Sequence, residues 1–223
     1  MPVVDIEEYM SDLIKNLQRQ FSVRLVYVGL QGSFRRDEAT DTSDIDVMVT
    51  LDKLTVSDLD RYREVIYGMP FAERSCGFIS GRDELKNWPP YEICQLLHET
   101  KDYFGELRPL LPKFELDDVR NYIRTSCGNL YHLLCHGRIH AEPDLQTESL
   151  RGLYKAVFYI LQNSYYLRTR QWVMTKAELL SKLQGLDYEV LAMAMLMKSD
   201  SAHDEDKAYQ VLFDWCQQLL GAK

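Results

Sequence analysis

The segment Ser43-Asp44-Ile45-Asp46-Val47-Met48-Val49 constrains the fold of this chain more than any other stretch. Successive side chains of a strand point to opposite faces, so Asp44 and Asp46 share one face while Ile45, Val47 and Val49 share the other. The apolar face demands a core behind it. The acidic face carries two neighbouring carboxylates that repel each other strongly unless a cation sits between them.

What precedes this strand completes a pattern. Val23 to Leu30 is rich in β-branched residues and reads as a strand. Gly32 interrupts it, a polar stretch runs to Ser43, and Ile45 to Leu51 resumes strand character. A glycine lets an anion approach the backbone closely, and Ser33 adds a hydroxyl and an amide donor. A helix beginning there would contribute its N-terminal dipole. Paired aspartates are hard oxygen ligands of the kind that suits Mg²⁺, which also takes oxygens from phosphates. A structural calcium loop is excluded, because Met48 stands where a third ligand is needed and no glycine turn follows. Strand, Gly-Ser grip and returning acidic strand make a site for metal-dependent phosphoryl transfer.

The remaining sequence divides into two halves. Asp5 to Phe21 has helical spacing, with Ile6, Met10, Leu13, Ile14 and Leu17 on one stripe. Thr55 to Gly68 reads as a helix closed by Met69-Pro70. Ser75 to Ser80 is a short strand candidate and Tyr91 to Leu97 a further helix. From Leu116 onward the pattern is helical throughout, with helices expected over 117–135, 148–168, 175–183, 188–198 and 204–220. Thr175-Lys176-Ala177-Glu178 fits a capping box. The pattern is therefore α/β first and all-α second, with the seam near Leu111-Pro112.

Composition narrows the class of partner. Of 223 residues, 46% are hydrophobic, enough for a proper core, and the formal net charge is −8. That balance argues against a general binder of nucleic acid or anionic membrane. Residues 1–112 hold 13 Lys/Arg against 20 Asp/Glu, and 113–223 hold 13 against 14, so the first half carries nearly all the excess. An acidic first half suits a divalent metal or a cationic substrate, and equally a solvated acidic surface. Five scattered cysteines without a CxxC pair read as reduced thiols. With no secretory pattern and no apolar run of bilayer length, the expectation is a soluble, cytoplasmic protein.

Gly32-Ser33 followed by Ser43-Asp44-Ile45-Asp46 resembles the signature of the DNA polymerase β-like nucleotidyltransferase superfamily, and the spacing matches its small bacterial members. The resemblance implies an α+β fold: a catalytic domain over 1–112 built on a small mixed sheet with flanking helices, and an all-α helical-bundle domain over 113–223 that covers substrate and nucleotide. It implies that Asp44 and Asp46 bind two Mg²⁺ ions, with Gly32, Ser33 and Ser43 on the nucleotide side. A hydroxyl would attack the α-phosphorus of a nucleoside triphosphate, ATP by expectation, and pyrophosphate would leave. Such loops often carry a glycine where this chain has Asp37. The family also supplies a third carboxylate from a neighbouring strand, for which Glu73 is the acidic candidate, while Ser75 could equally stand at the expected place. The helical half is similar to the C-terminal domains of aminoglycoside nucleotidyltransferases. There a helix lends a lysine to the phosphates and sometimes a base, roles implied here for Lys155 and Glu148, which share a helix side with Arg151. A solvated, salt-bridged helix face is the competing reading of those three residues.

Other signals are weaker. His132, His136 and His140 recur every fourth residue beside Cys135, a spacing that can bind zinc. Gly137 is expected to end the helix before His140, and no acidic ligand completes the set, which favours capping or cleft-lining histidines. The aromatic cluster Tyr154, Phe158, Tyr159, Tyr165 and Tyr166 reads as core. Thr100 to Gly105 resembles a segment that follows the sheet in these transferases. The functional expectation is transfer of AMP onto a hydroxyl of a small, cationic molecule, without nucleic acid or membrane. The alternatives are an antitoxin-type transferase that modifies a protein, and a non-catalytic nucleotide-binding scaffold.

Overall fold

The alternation around Asp46 becomes strand β2 (Ile45–Leu51) in the computed structural model, which describes residues 4–140, 142, 146–198 and 204–221. β2 is an inner strand of a four-stranded sheet ordered β3-β2-β1-β4, with β1 at Leu25–Leu30, β3 at Ser75–Gly81 and β4 at Lys101–Phe104. β1 pairs antiparallel with both β2 and β4, whereas β2 and β3 run parallel. The sheet is therefore mixed. β4 was not expected as a strand: its four residues include two charges and lie at the edge, where one side of the ladder is unpaired and the pattern is weak.

The two faces of the sheet are covered differently. Val28, Leu30, Ile45, Val47, Val49 and Leu51 form one core with Met10, Leu13, Leu17 and Phe21 of helix α1 (Ile6–Phe21). The spacing of those four helical residues puts them on one stripe, and each fully buried side chain of this size stabilises the fold by about 1.5–3 kcal/mol. Asp5 caps α1 by accepting from the amides of Glu7 and Glu8, whose own charges complement the helix dipole. A one-turn helix, α2 (Gly32–Arg35), follows β1. Helix α3 (Val56–Tyr67) adds Tyr62, Val65 and Ile66 to the same core and opens with a reciprocal capping box between Thr55 and Asp58.

On the opposite face, Tyr27 and Met48 pack with Leu85 of α4 (Arg82–Lys86) and with Leu107. Helix α5 (Pro90–Glu99) follows, with proline at its first turn and Ile93 and Cys94 buried. Asp46 belongs to this second face, so the acidic end of β2 emerges where α1 and α3 do not cover the sheet.

The chain divides into two units, Met1–Phe114 and Glu115–Lys223. The second is built from α6 (Leu116–His140), α7 (Gln146–Thr169), α8 (Lys176–Lys182), α9 (Gly185–Lys198) and α10 (Glu205–Gly221). α6 packs on α7 and α10, and α9 packs on α7, α8 and α10. Trp215 is fully buried and donates its indole N–H to Asp187 at 2.9 Å; the buried Tyr154 hydroxyl donates to the Ala208 carbonyl at 2.7 Å. α6 does not stop before Gly137 as expected but continues to His140. An isolated glycine costs a helix only about 1 kcal/mol, and the packing of Leu130 and Leu134 outweighs it. Among the described residues, no helix is long and apolar enough to cross a membrane.

Candidate active site

The site begins where β1 ends. The amide of Gln31 donates to the Asp46 carbonyl at 2.8 Å, which fixes the start of α2 against β2. Gly32 then turns with φ +69°, and a Cβ there would collide with the Asp46 carboxylate, lying 2.7 Å from its Cγ. Only glycine satisfies both the left-handed backbone and the contact. Ser33 follows on α2, and its carbonyl accepts from the amides of Arg36 and Glu38, curling the loop back over the helix. Asp37 takes φ +56°, the conformation that the glycine of related loops would favour, and aspartate is among the few residues that tolerate it.

Two buried arginines hold the loop between α2 and β2. Arg36 pairs with Glu99 at the end of α5 at 2.7 Å and with Glu38 at 3.3 Å. Arg74, 7% exposed, donates to the Ser43 carbonyl from Nε at 2.9 Å and from Nη2 at 2.8 Å, and to the Thr40 carbonyl at 3.3 Å. The Ser43 hydroxyl is engaged inside the same loop, accepting from the Thr40 amide at 2.8 Å.

Asp44 stands exposed immediately before β2, and Asp46 is half-buried within it. Burial pushes the Asp46 carboxyl up, and the charge of Asp44 pushes it further; the neighbouring Cys76 thiol and the charge of Arg36 act in the opposite direction. The pair thus concentrates negative charge at one point of a sheet face, next to a glycine whose missing Cβ leaves room for the Asp46 carboxylate.

The residue in register with Asp46 on β3 is Cys76, since Ile45 pairs with Ser75 and Val47 with Gly77. Burial raises the Cys76 thiol, as do the charges of Asp46 and Asp44, so it stays protonated beside the carboxylate. Glu73, the expected third carboxylate, is exposed on the short turn Ala72–Arg74 before the strand. Ser75 has its hydroxyl 2.7 Å from that of Tyr9 on α1, on the sheet's other side. Parallel register, which pairs residues thirty apart in sequence, is what places a thiol here.

Among the other expected site residues, Glu148 and Lys155 are exposed on α7 of the second unit, with Arg151 half-buried between them. His132, His136 and His140 line one exposed face of α6, with ring centroids 6.0 and 4.7 Å apart. Among the described residues, no group of three or more histidines, cysteines or acids is arranged to hold a metal ion. The sequence reading missed Cys76, Arg36, Glu99 and Arg74. The only local sign of Arg74 is an arginine at the threshold of a strand, which by itself signals nothing.

Residues 10–100 match the family described as the nucleotidyltransferase domain. The first unit is a nucleotidyltransferase domain. Its Gly32-Ser33 turn and its Asp44–Asp46 pair lie within the matched span. The fold of the whole chain is similar to that of spectinomycin adenyltransferase AAD(9) from Enterococcus faecialis, solved with ATP and spectinomycin. The TM-score is 0.58 at 16% identity, covering 97% of this chain and 99% of that one. A likeness at that identity is one of fold: a nucleotidyltransferase domain followed by a helical one. No curated protein matches the chain by sequence.

Proposed function

We propose that the chain transfers the nucleoside monophosphate of ATP to a hydroxyl of a small, cationic molecule. The observation that carries this reading is the Asp46 carboxylate abutting Gly32, with Asp44 two residues before it, inside a nucleotidyltransferase domain. The similar fold that was solved with ATP and spectinomycin supports the choice of nucleotide and the small-molecule acceptor. The acidity of the first half supports a cationic one.

The donor set fits Mg²⁺. Both side chains are hard carboxylates, and the raised Asp46 carboxyl marks negative charge that the protein alone leaves poorly compensated. Because the described residues hold no cluster of three ligands, the other positions fall to phosphate oxygens and water, which is the habit of Mg²⁺ rather than of a structural zinc. Two Mg²⁺ ions bound by Asp44 and Asp46 would neutralise charge on the attacking and departing oxygens. Gly32 admits the phosphates to the backbone, and Ser33 offers its amide and hydroxyl to them. A bond forms between the acceptor oxygen and the α-phosphorus, the bond to the bridging oxygen breaks, and pyrophosphate leaves with the electron pair. The acceptor proton passes to a base, and Glu148 carries that role, with Lys155 on the phosphates, in the proposal that the family resemblance supports.

The test is pyrophosphate release from ATP, GTP, CTP and UTP with Mg²⁺ against a panel of aminoglycosides, lincosamides and simple polyols. Acceptor-dependent release from ATP that disappears in Asp46→Asn supports the reading. Modification of a co-purifying protein, or Mg²⁺-dependent nucleotide binding with no turnover on any acceptor, overturns it in favour of a protein acceptor or a silent binder.

A further inference from the structure

We infer that Arg74 is the positioning residue that sets Asp44 in line with Asp46 and couples the pair to the Gly32-Ser33 turn, a role that rests on the function proposed above. Asp44 lies before the first residue of β2, so the sheet's own ladder does not fix it. Something outside the ladder must. The Ser43 carbonyl, one peptide upstream, receives two hydrogen bonds from one guanidinium, and the Thr40 carbonyl receives a third. Hydrogen bonds from a charged donor are about twice as strong as neutral ones, and a planar fork fixes direction as well as distance.

The guanidinium is buried without a carboxylate: among the described residues, no acidic side chain lies within ion-pair distance of it. Burying a charge in that way is costly unless its donors are used. Here the carbonyls take the donors, and the rings of Phe34 and Phe71 lie 5.8 Å from its carbon. Phe34 is the residue after Ser33 on α2. One side chain therefore touches both halves of the site, the loop end through Ser43 and the phosphate turn through Phe34. Arg74 itself is held by its position directly before β3, where its amide donates to the Phe71 carbonyl at 2.9 Å.

The reach of this arrangement is specific. An arginine that merely stabilised the fold would affect melting in proportion to its contacts. One that aims Asp44 changes how much Mg²⁺ is needed for nucleotide to bind, because partners that orient a ligand group are worth about tenfold or more in metal affinity. Lysine keeps the charge but has no fork, so Arg74→Lys separates orientation from charge.

The experiment uses the full chain with Arg74→Lys and, separately, Phe34→Leu. Two quantities are read: amide hydrogen exchange over residues 38–46 without ligand, and the Mg²⁺ concentration at half-maximal ATP binding. The expected result for Arg74→Lys is faster exchange over 38–46 with β1 unchanged, and an Mg²⁺ midpoint raised by about tenfold. Phe34→Leu shifts both in the same direction by less, and it serves should the lysine variant fail to fold. Unchanged exchange and an unchanged midpoint in a folded variant overturn the inference. If the wild type binds no ATP with Mg²⁺, the proposed function fails instead, and the exchange over 38–46 still decides whether Arg74 orders the loop.

Discussion

Asp46 and Cys76 face each other in register across the parallel pair β2 and β3, which sets a thiol beside the carboxylate. The two groups tune each other in opposite senses: the thiol eases ionisation of the acid, and the acid hinders ionisation of the thiol. Several expectations can be measured from that relationship and its neighbours.

Cys76 is the one cysteine exposed among the described residues, with Cys135 partly so. Its raised pKa makes it a slow nucleophile at neutral pH. Asp46→Asn removes the negative charge beside the thiol, so the thiolate becomes easier to form. Alkylation by iodoacetamide at pH 8, followed by mass spectrometry on the Cys76 peptide, should accelerate severalfold in that variant. Equal rates would contradict the pairing.

Asp46→Asn should also separate stability from activity. The Asp46 carboxyl is raised by burial and by Asp44, so ionising it is unfavourable to the metal-free fold. A neutral amide removes that cost while destroying a metal ligand. Nucleotide transfer is expected to fall by about 10³-fold or more. The melting temperature without Mg²⁺ should hold or rise, and a clear fall in melting would count against this account of the charge pair.

Gly32→Ala meets two obstacles, a left-handed backbone and the Asp46 carboxylate. Together they should cost about 1–3 kcal/mol, visible as a lower denaturant midpoint. ATP binding should weaken in the same variant, because relief of the collision moves Asp46. A variant with wild-type midpoint and wild-type binding would show that the turn relaxes freely.

The buried carboxylate of Asp58 gives a pH signature in the same unit. It is 2% exposed, pairs with Arg24 at 2.8 Å and completes the α3 capping box. The hydrogen bond from Arg24, then that from Thr55, holds its carboxyl far below the usual range. Its folded pKa is depressed, so it contributes stability above the ordinary carboxylate value of about 4 that is lost as pH falls below it. Asp58→Asn should melt lower at pH 7 by about 1–3 kcal/mol and show a shallower loss between pH 5 and 2.5. Parallel acid limbs for the two proteins would refute the assignment.

Local chemistry wrote much of this molecule into its sequence. Strand β2 and its two faces follow from the alternation Asp44-Ile45-Asp46-Val47, because a side-chain period of two admits one assignment of core and solvent. The glycine at 32, helix α1 and the wholly helical second half follow from equally local rules of backbone freedom and apolar spacing. The mixed sheet and the nucleotidyltransferase domain were legible by another route, through the resemblance that Gly32-Ser33 and Asp44-Ile45-Asp46 carry. Gly137 misled, since the packing of α6 overrode a propensity of about 1 kcal/mol.

What the tertiary structure alone decided is the company that Asp44 and Asp46 keep. The partner of Asp46 is Cys76 rather than Glu73 because parallel register is set by how whole strands align, not by any residue near either one. Arg36 reaches Glu99 and Arg74 reaches Ser43 across sixty-three and thirty-one positions, distances over which a sequence pattern carries no signal. The sequence names the groups that can bind a cation. Which side chains hold them in place depends on long-range packing, where the free energy of contact, not local spacing, makes the choice.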